Sequence, residues 1–72
     1  METKTAKRKE RMETLLNYIK QQGEIEYYQL MAKYSWESGL STVTIADYLS
    51  ALKAAGLIKI EYRDGRYIVK PA

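Results

Sequence analysis

Apolar positions along the chain change period three times, and each change marks a new element. Met12, Leu15, Leu16 and Ile19 stand at i, i+3, i+4 and i+7, a spacing that gathers them on one side of a helix over about residues 5 to 22. Gly23 is its natural stop. The first turns, AKRKER, carry no apolar stripe, so this end projects beyond the core or frays. Glu24, Ile25 and Glu26 read as a very short strand with Ile25 pointing inward, and Tyr27 to Tyr34 as a short second helix with Leu30 and Met31 toward the core. Residues 35 to 40, SWESGL, hold turn formers without periodicity and are expected to form a loop.

A third helix is predicted over residues 41 to 55, with Ser41 as its N-cap and Ile45, Leu49, Leu52 and the flanking Tyr48 on its buried side. At 100° per residue, Val43, Asp47, Ser50 and Ala54 lie opposite that stripe, with Thr44 and Ala46 at its margins. Gly56 ends this helix as a left-handed residue, and Leu57 can pack back on the last turn.

The period then drops to two. A two-residue type I′ turn at Asp64 and Gly65 sets Arg63 opposite Arg66, Tyr62 opposite Tyr67 and Ile60 opposite Val69. Ile58, Ile60, Tyr62, Tyr67 and Val69 then share one face, while Lys59, Glu61, Arg63, Arg66, Ile68 and Lys70 share the other. Only Ile68 breaks the alternation, and Pro71 closes the last strand. Two arginines directly opposed at the tip repel, at roughly 0.2 to 1 kcal/mol on the cross-strand scale. Such a face either blunts a strand edge against aggregation or holds an anion between the two guanidiniums.

Seventy-two residues allow one domain and a small core. Cysteine and histidine are both absent, which removes the thiolate nucleophile, the commonest metal ligand and the neutral-pH acid and base. No catalytic residue, metal site or cofactor is therefore expected. The carboxylates Glu24 and Glu26 have no accompanying pocket signal that would make them an acid and base pair. With no apolar run of about 18 residues and no apolar core near the N-terminus, neither a membrane span nor a signal peptide is expected, and a cytoplasmic location is.

The net charge of +3 is localised. Residues 1 to 11 hold Lys4, Lys7, Arg8, Lys9 and Arg11 against Glu2 and Glu10, while the remaining chain has seven basic and seven acidic side chains. The chain thus divides into a basic N-terminal arm, residues 1 to 11, continuous with the first helix, and a nearly neutral body, residues 12 to 72.

Helix, short strand, helix, loop, helix and hairpin is the order of the winged helix-turn-helix proteins. The run Thr44-Ile45-Ala46-Asp47-Tyr48-Leu49, then Leu52, then Ala55-Gly56-Leu57-Ile58, resembles that family's recognition helix leading into its first wing strand. The similarity extends over roughly residues 12 to 70. The longer loop before the third helix, with Tyr34 and Trp36 ahead of Gly39, and the Tyr48-Leu49 pair are similar to small regulators from archaea and their viruses or plasmids.

The resemblance implies an α+β, mainly α, fold of three helices with a short strand and a C-terminal β-hairpin wing. It further implies a regulator of transcription that binds double-stranded DNA, with the third helix in the major groove. Ser41, Thr42 and Thr44 could then donate to phosphates or bases, Val43 could meet a thymine methyl, and Ser50 lies on the same outward face. Asp47 stands where many relatives carry a basic or amide side chain. It could accept from a cytosine amino group, serve only the helix macrodipole, or repel DNA and leave this face to a protein. Arg63 and Arg66 resemble wing-tip residues that touch the backbone or minor groove. Lys7, Arg8, Lys9 and Arg11 form either a solvated extension or a phosphate-tracking arm.

Seven tyrosines and no phenylalanine raise base stacking, but Tyr18, Tyr48, Tyr62 and Tyr67 lie beside or within predicted apolar faces and are read as core with a solvated hydroxyl. Tyr27, Tyr28, Tyr34 and Trp36 cluster around the second helix, as a structural lid or, at Tyr34 and Trp36, a protein-binding surface. A homodimer is expected because one small domain offers few phosphate contacts and the first helix could pair across a two-fold axis. The competing reading is a winged helix that docks on another protein in a transcription or replication assembly, supported by the neutral body, Asp47 and the aromatics near Trp36.

Overall fold

In the computed structural model, residues 4–72 are described, with side chains from Lys7 onward. Residues 1 to 3 of the expected basic arm, and the side chain of Lys4, lie outside the described residues. The chain forms α1 (Lys4–Gln22), β1 (Ile25–Glu26), α2 (Tyr27–Ser38), α3 (Thr42–Ala54), β2 (Ile58–Arg63) and β3 (Arg66–Pro71). It is a mainly helical α+β arrangement with one antiparallel sheet, in the order β1-β3-β2.

Every element contributes to one core. Leu15 and Ile19 enter it from α1, Ile25 from β1, Leu30 and Tyr34 from α2, Ile45, Tyr48, Leu49 and Leu52 from α3, and Ile58 and Val69 from the hairpin. No polar or charged residue is buried among the described residues. The small core is therefore held by close apolar packing.

The α3 boundaries follow from its caps. Ser41 Oγ accepts from the Thr44 amide at 3.2 Å. At the other end, the amides of Gly56 and Leu57 donate to the carbonyls of Lys53 and Leu52, both at 3.0 Å, which is the paired pattern of a Schellman motif. The hairpin turns on Asp64 and Gly65 with φ of 51° and 78°, and its register sets Arg63 against Arg66, Tyr62 against Tyr67 and Ile60 against Val69, as the alternation requires.

Two expectations need correction. The segment expected as a loop over residues 35 to 40 is helical as far as Ser38, so only Gly39, Leu40 and Ser41 separate α2 from α3. Gly39 is the stop: its φ is 76° and its amide donates to the Ser35 carbonyl at 2.9 Å, a left-handed conformation that glycine adopts without a Cβ penalty. Ser38 Oγ further donates to the Tyr34 carbonyl at 2.6 Å and accepts from the Leu40 amide at 3.2 Å. Second, Tyr62 and Tyr67 share the face of Ile60 as expected but are not core, being 67% and 47% exposed. The two rings pack on one another, with centroids 5.1 Å apart, and Tyr67 lines an open hollow with Tyr27, Tyr28 and Ile60.

Candidate nucleic-acid interface

The outward side of α3 is small and nearly uncharged. Thr42, Val43, Asp47 and Ser50 are exposed and Thr44 is half-buried, as the helical spacing predicts. Ser41 Oγ donates to Thr44 Oγ1 at 3.0 Å while capping the helix. The Thr44 hydroxyl still has its own proton to donate, whereas the Ser41 hydroxyl is committed to the helix end.

Asp47 is not an isolated acid. Arg8 Nη2 donates to Asp47 Oδ2 at 2.8 Å, and the same guanidinium lies 5.5 Å from the centroid of the Tyr48 ring and 3.4 Å from Met12 Sδ. The ion pair is exposed and contributes about 0 to 1 kcal/mol to stability, but its positional effect is larger. It offsets the acid on α3 and lies where the basic first turns of α1, with Lys7, Lys9 and Arg11 all exposed, run beside the helix.

Arg63 and Arg66 have different surroundings at the hairpin tip. Arg63 is gripped by Glu24, with Nη1 at 3.1 Å from Oε2 and Nη2 at 3.3 Å from Oε1, and by Glu61 Oε2 at 2.8 Å. Lys70 Nζ pairs with the second Glu61 oxygen at 2.7 Å. Hydrogen bonds from Lys70 and Arg63 lower the Glu61 carboxyl to about 2. The Glu24 carboxyl is lowered by its Arg63 hydrogen bond, and Arg63 is in turn held protonated more firmly than a free arginine. Carboxylates thus supply the compensation for two opposed arginines that an anion would otherwise give. Arg66 makes no ion pair among the described residues, and with Arg63, Asp64 and Ile68 it lines a shallow hollow of about 380 Å³ at the tip.

The aromatic residues separate by environment. Tyr34, expected with Trp36 on a partner-facing surface, is in the core at 6% exposure because α2 continues past it. Its ring lies 5.1 Å from that of Tyr18, and burial raises both hydroxyl pKa values, with Glu37 adding to the shift. Trp36, two residues on, is 90% exposed. Tyr28 is also exposed and packs edge-on against Tyr27.

Sequence reasoning missed Glu24 and Arg8 as partners. The Glu61, Arg63 and Lys70 cluster could have been found from the hairpin register, which puts all three on one face. Both missed contacts, Arg8 to Asp47 and Glu24 to Arg63, join residues 39 apart, and no local periodicity reports them.

Compared with protein-family models, with curated proteins and with solved structures, the chain matches none. No helix among the described residues is long and apolar enough to cross a membrane.

Proposed function

We propose that the chain is a winged helix-turn-helix domain that binds double-stranded DNA, acting in the cytoplasm as a small regulator of transcription. The observation that carries this reading is the Arg8–Asp47 ion pair at 2.8 Å. It lies where the basic turns of α1 run beside the first half of α3, which carries no cation before Lys53 in the last turn, giving one surface with a weakly charged centre and a positive flank.

In this reading the first half of α3 enters the major groove, where Thr42, Thr44 and Ser50 supply hydroxyls and Val43 an apolar contact. Arg8 lies at the groove edge with its charge offset by Asp47, and Lys7, Lys9 and Arg11 add attraction that does not depend on sequence. Arg66 is the wing residue that meets phosphate. Arg63, held by Glu24 and Glu61, shapes the tip from behind. Element order, the hairpin next to the third helix and the β1-β3-β2 sheet support the winged-helix assignment. No cofactor, metal or catalytic residue is assigned.

A second reading, a module that docks on another protein, is favoured by the 90% exposure of Trp36 on α2, since an exposed tryptophan is a frequent interface anchor. Backbone amide NMR with a random-sequence duplex separates the two. Shifts over residues 41 to 50 and 64 to 67 are expected for the DNA reading. Unchanged spectra, or shifts confined to the surroundings of Trp36, would overturn it.

A further inference from the structure

A polar cleft of about 370 Å³ lies between the second half of α1 and the end of α2. Asn17, Tyr18 and Gln21 line it from α1, and Tyr34, Glu37 and Ser38 from α2. It shares no residue with α3, the basic first turns of α1 or the hairpin tip. Tyr34 is almost wholly buried, and its hydroxyl makes no hydrogen bond among the described residues. None of their polar side-chain atoms is both sealed from solvent and unpaired, so this hydroxyl opens on the cleft that its side chain lines.

Glu37 supplies an independent signal. It stands in the last turn of α2, where the helix dipole disfavours an acid, and that turn holds no basic residue. It makes no ion pair among the described residues. Its charge reaches both tyrosines, adding to burial in raising their hydroxyl pKa values.

We infer that this cleft is a binding site for a small primary alkylammonium ligand. Glu37 neutralises the ammonium. Its three N–H groups find acceptors in that carboxylate, in the Tyr34 hydroxyl oxygen and in the side-chain carbonyls of Asn17 and Gln21. The alkyl stem lies against the Tyr18 and Tyr34 rings, whose centroids are 5.1 Å apart. No lysine or arginine among the described residues lines the cleft, so a carboxylate or phosphate finds no counter-charge there. A quaternary ammonium brings the charge but has no N–H to donate. None of the exposed large apolar side chains lines the cleft either, which leaves a docking protein without an anchor, while the volume falls within the range of roughly 300 to 1,000 Å³ for small-molecule sites. The inference does not depend on DNA binding.

Backbone amide NMR of the full chain with n-butylammonium as the probe, at constant ionic strength and without DNA, tests this. Saturable shifts are expected over residues 14 to 21 and 34 to 38. Butanol, butyrate and tetramethylammonium should each bind at least about tenfold more weakly, the scale of one hydrogen bond to a charged group. Glu37→Gln should lose a similar factor, and Tyr34→Phe, which keeps the ring and removes only the unbonded hydroxyl, should weaken binding severalfold with its thermal melt retained. No saturable shift, shifts centred elsewhere, butanol or tetramethylammonium binding as well as the amine, or Glu37→Gln binding like the parent chain would overturn the inference. Because DNA is absent, failure here and failure of the DNA reading are separate results.

Discussion

Arg63 and Arg66 occupy equivalent places in the hairpin register, yet their neighbours give them different work. Arg63 is paired with the carboxylates of Glu24 and Glu61 while its side chain stays half exposed, whereas Arg66 makes no ion pair among the described residues. Two predictions belong to this scale. Glu61 has its carboxyl lowered from an ordinary value of 4.5 to about 2, so its contribution to stability is present above the unfolded value and is lost as pH falls from about 4.5 toward 2. Thermal melts between pH 6 and 2 should therefore decline less steeply for Glu61→Gln than for the parent chain; parallel declines would deny the network a role. Asp47→Asn removes the acid that neutralises Arg8. Random-duplex affinity should rise severalfold in this variant and fall in Arg8→Ala, and equal affinities in titration would show that the pair lies off the DNA surface. The face of α3 was legible from helical spacing, but the Arg8 partner was not, because contacts between residues 39 apart leave no periodic trace.

Elements were legible wherever a local chemical stop agreed with the period. Gly56 and the Asp64-Gly65 turn fixed the end of α3 and the hairpin register, and Ser41 marked the start of α3. The α2 end was misread because Ser35, Trp36, Glu37 and Ser38 carry no apolar stripe, although Leu30 and Tyr34 do continue the buried face at i and i+4. Gly39 was the available signal, being the same kind of helix stop used at Gly23 and Gly56. The N-cap of α2 was also hidden. Glu26 fills it, accepting from the Gln29 amide at 2.8 Å, and glutamate is not among the preferred caps. Ser41→Ala should cost about 1 kcal/mol in urea unfolding, within the usual range for lost caps; no loss would mean that the Thr44 amide finds another acceptor. Leu49, fully buried in α3, should cost about 2 to 5 kcal/mol on truncation to alanine, a large fraction of the stability of so small a domain.

At the scale of the whole molecule, the α+β class and the element order could be read from the chain, but the sheet order could not. β1 is two residues long, too short for alternation to specify a partner, and only the fold sets Ile25 against Val69 and Glu26 against Ile68. That pairing sets Glu24 beside Arg63 and so decides which of the two tip arginines is paired with a second carboxylate. Charge is likewise a property of the assembled chain: the shared core sets the basic turns of α1 beside α3, where Arg8 meets Asp47. Fluorescence anisotropy of the chain with a random-sequence duplex, at low and near-physiological salt and with Arg66→Glu alongside, tests the DNA-binding claim most directly. Binding that weakens steeply with salt and is largely lost in Arg66→Glu is the predicted result, whereas no binding at low salt, or binding indifferent to both salt and Arg66, would contradict it.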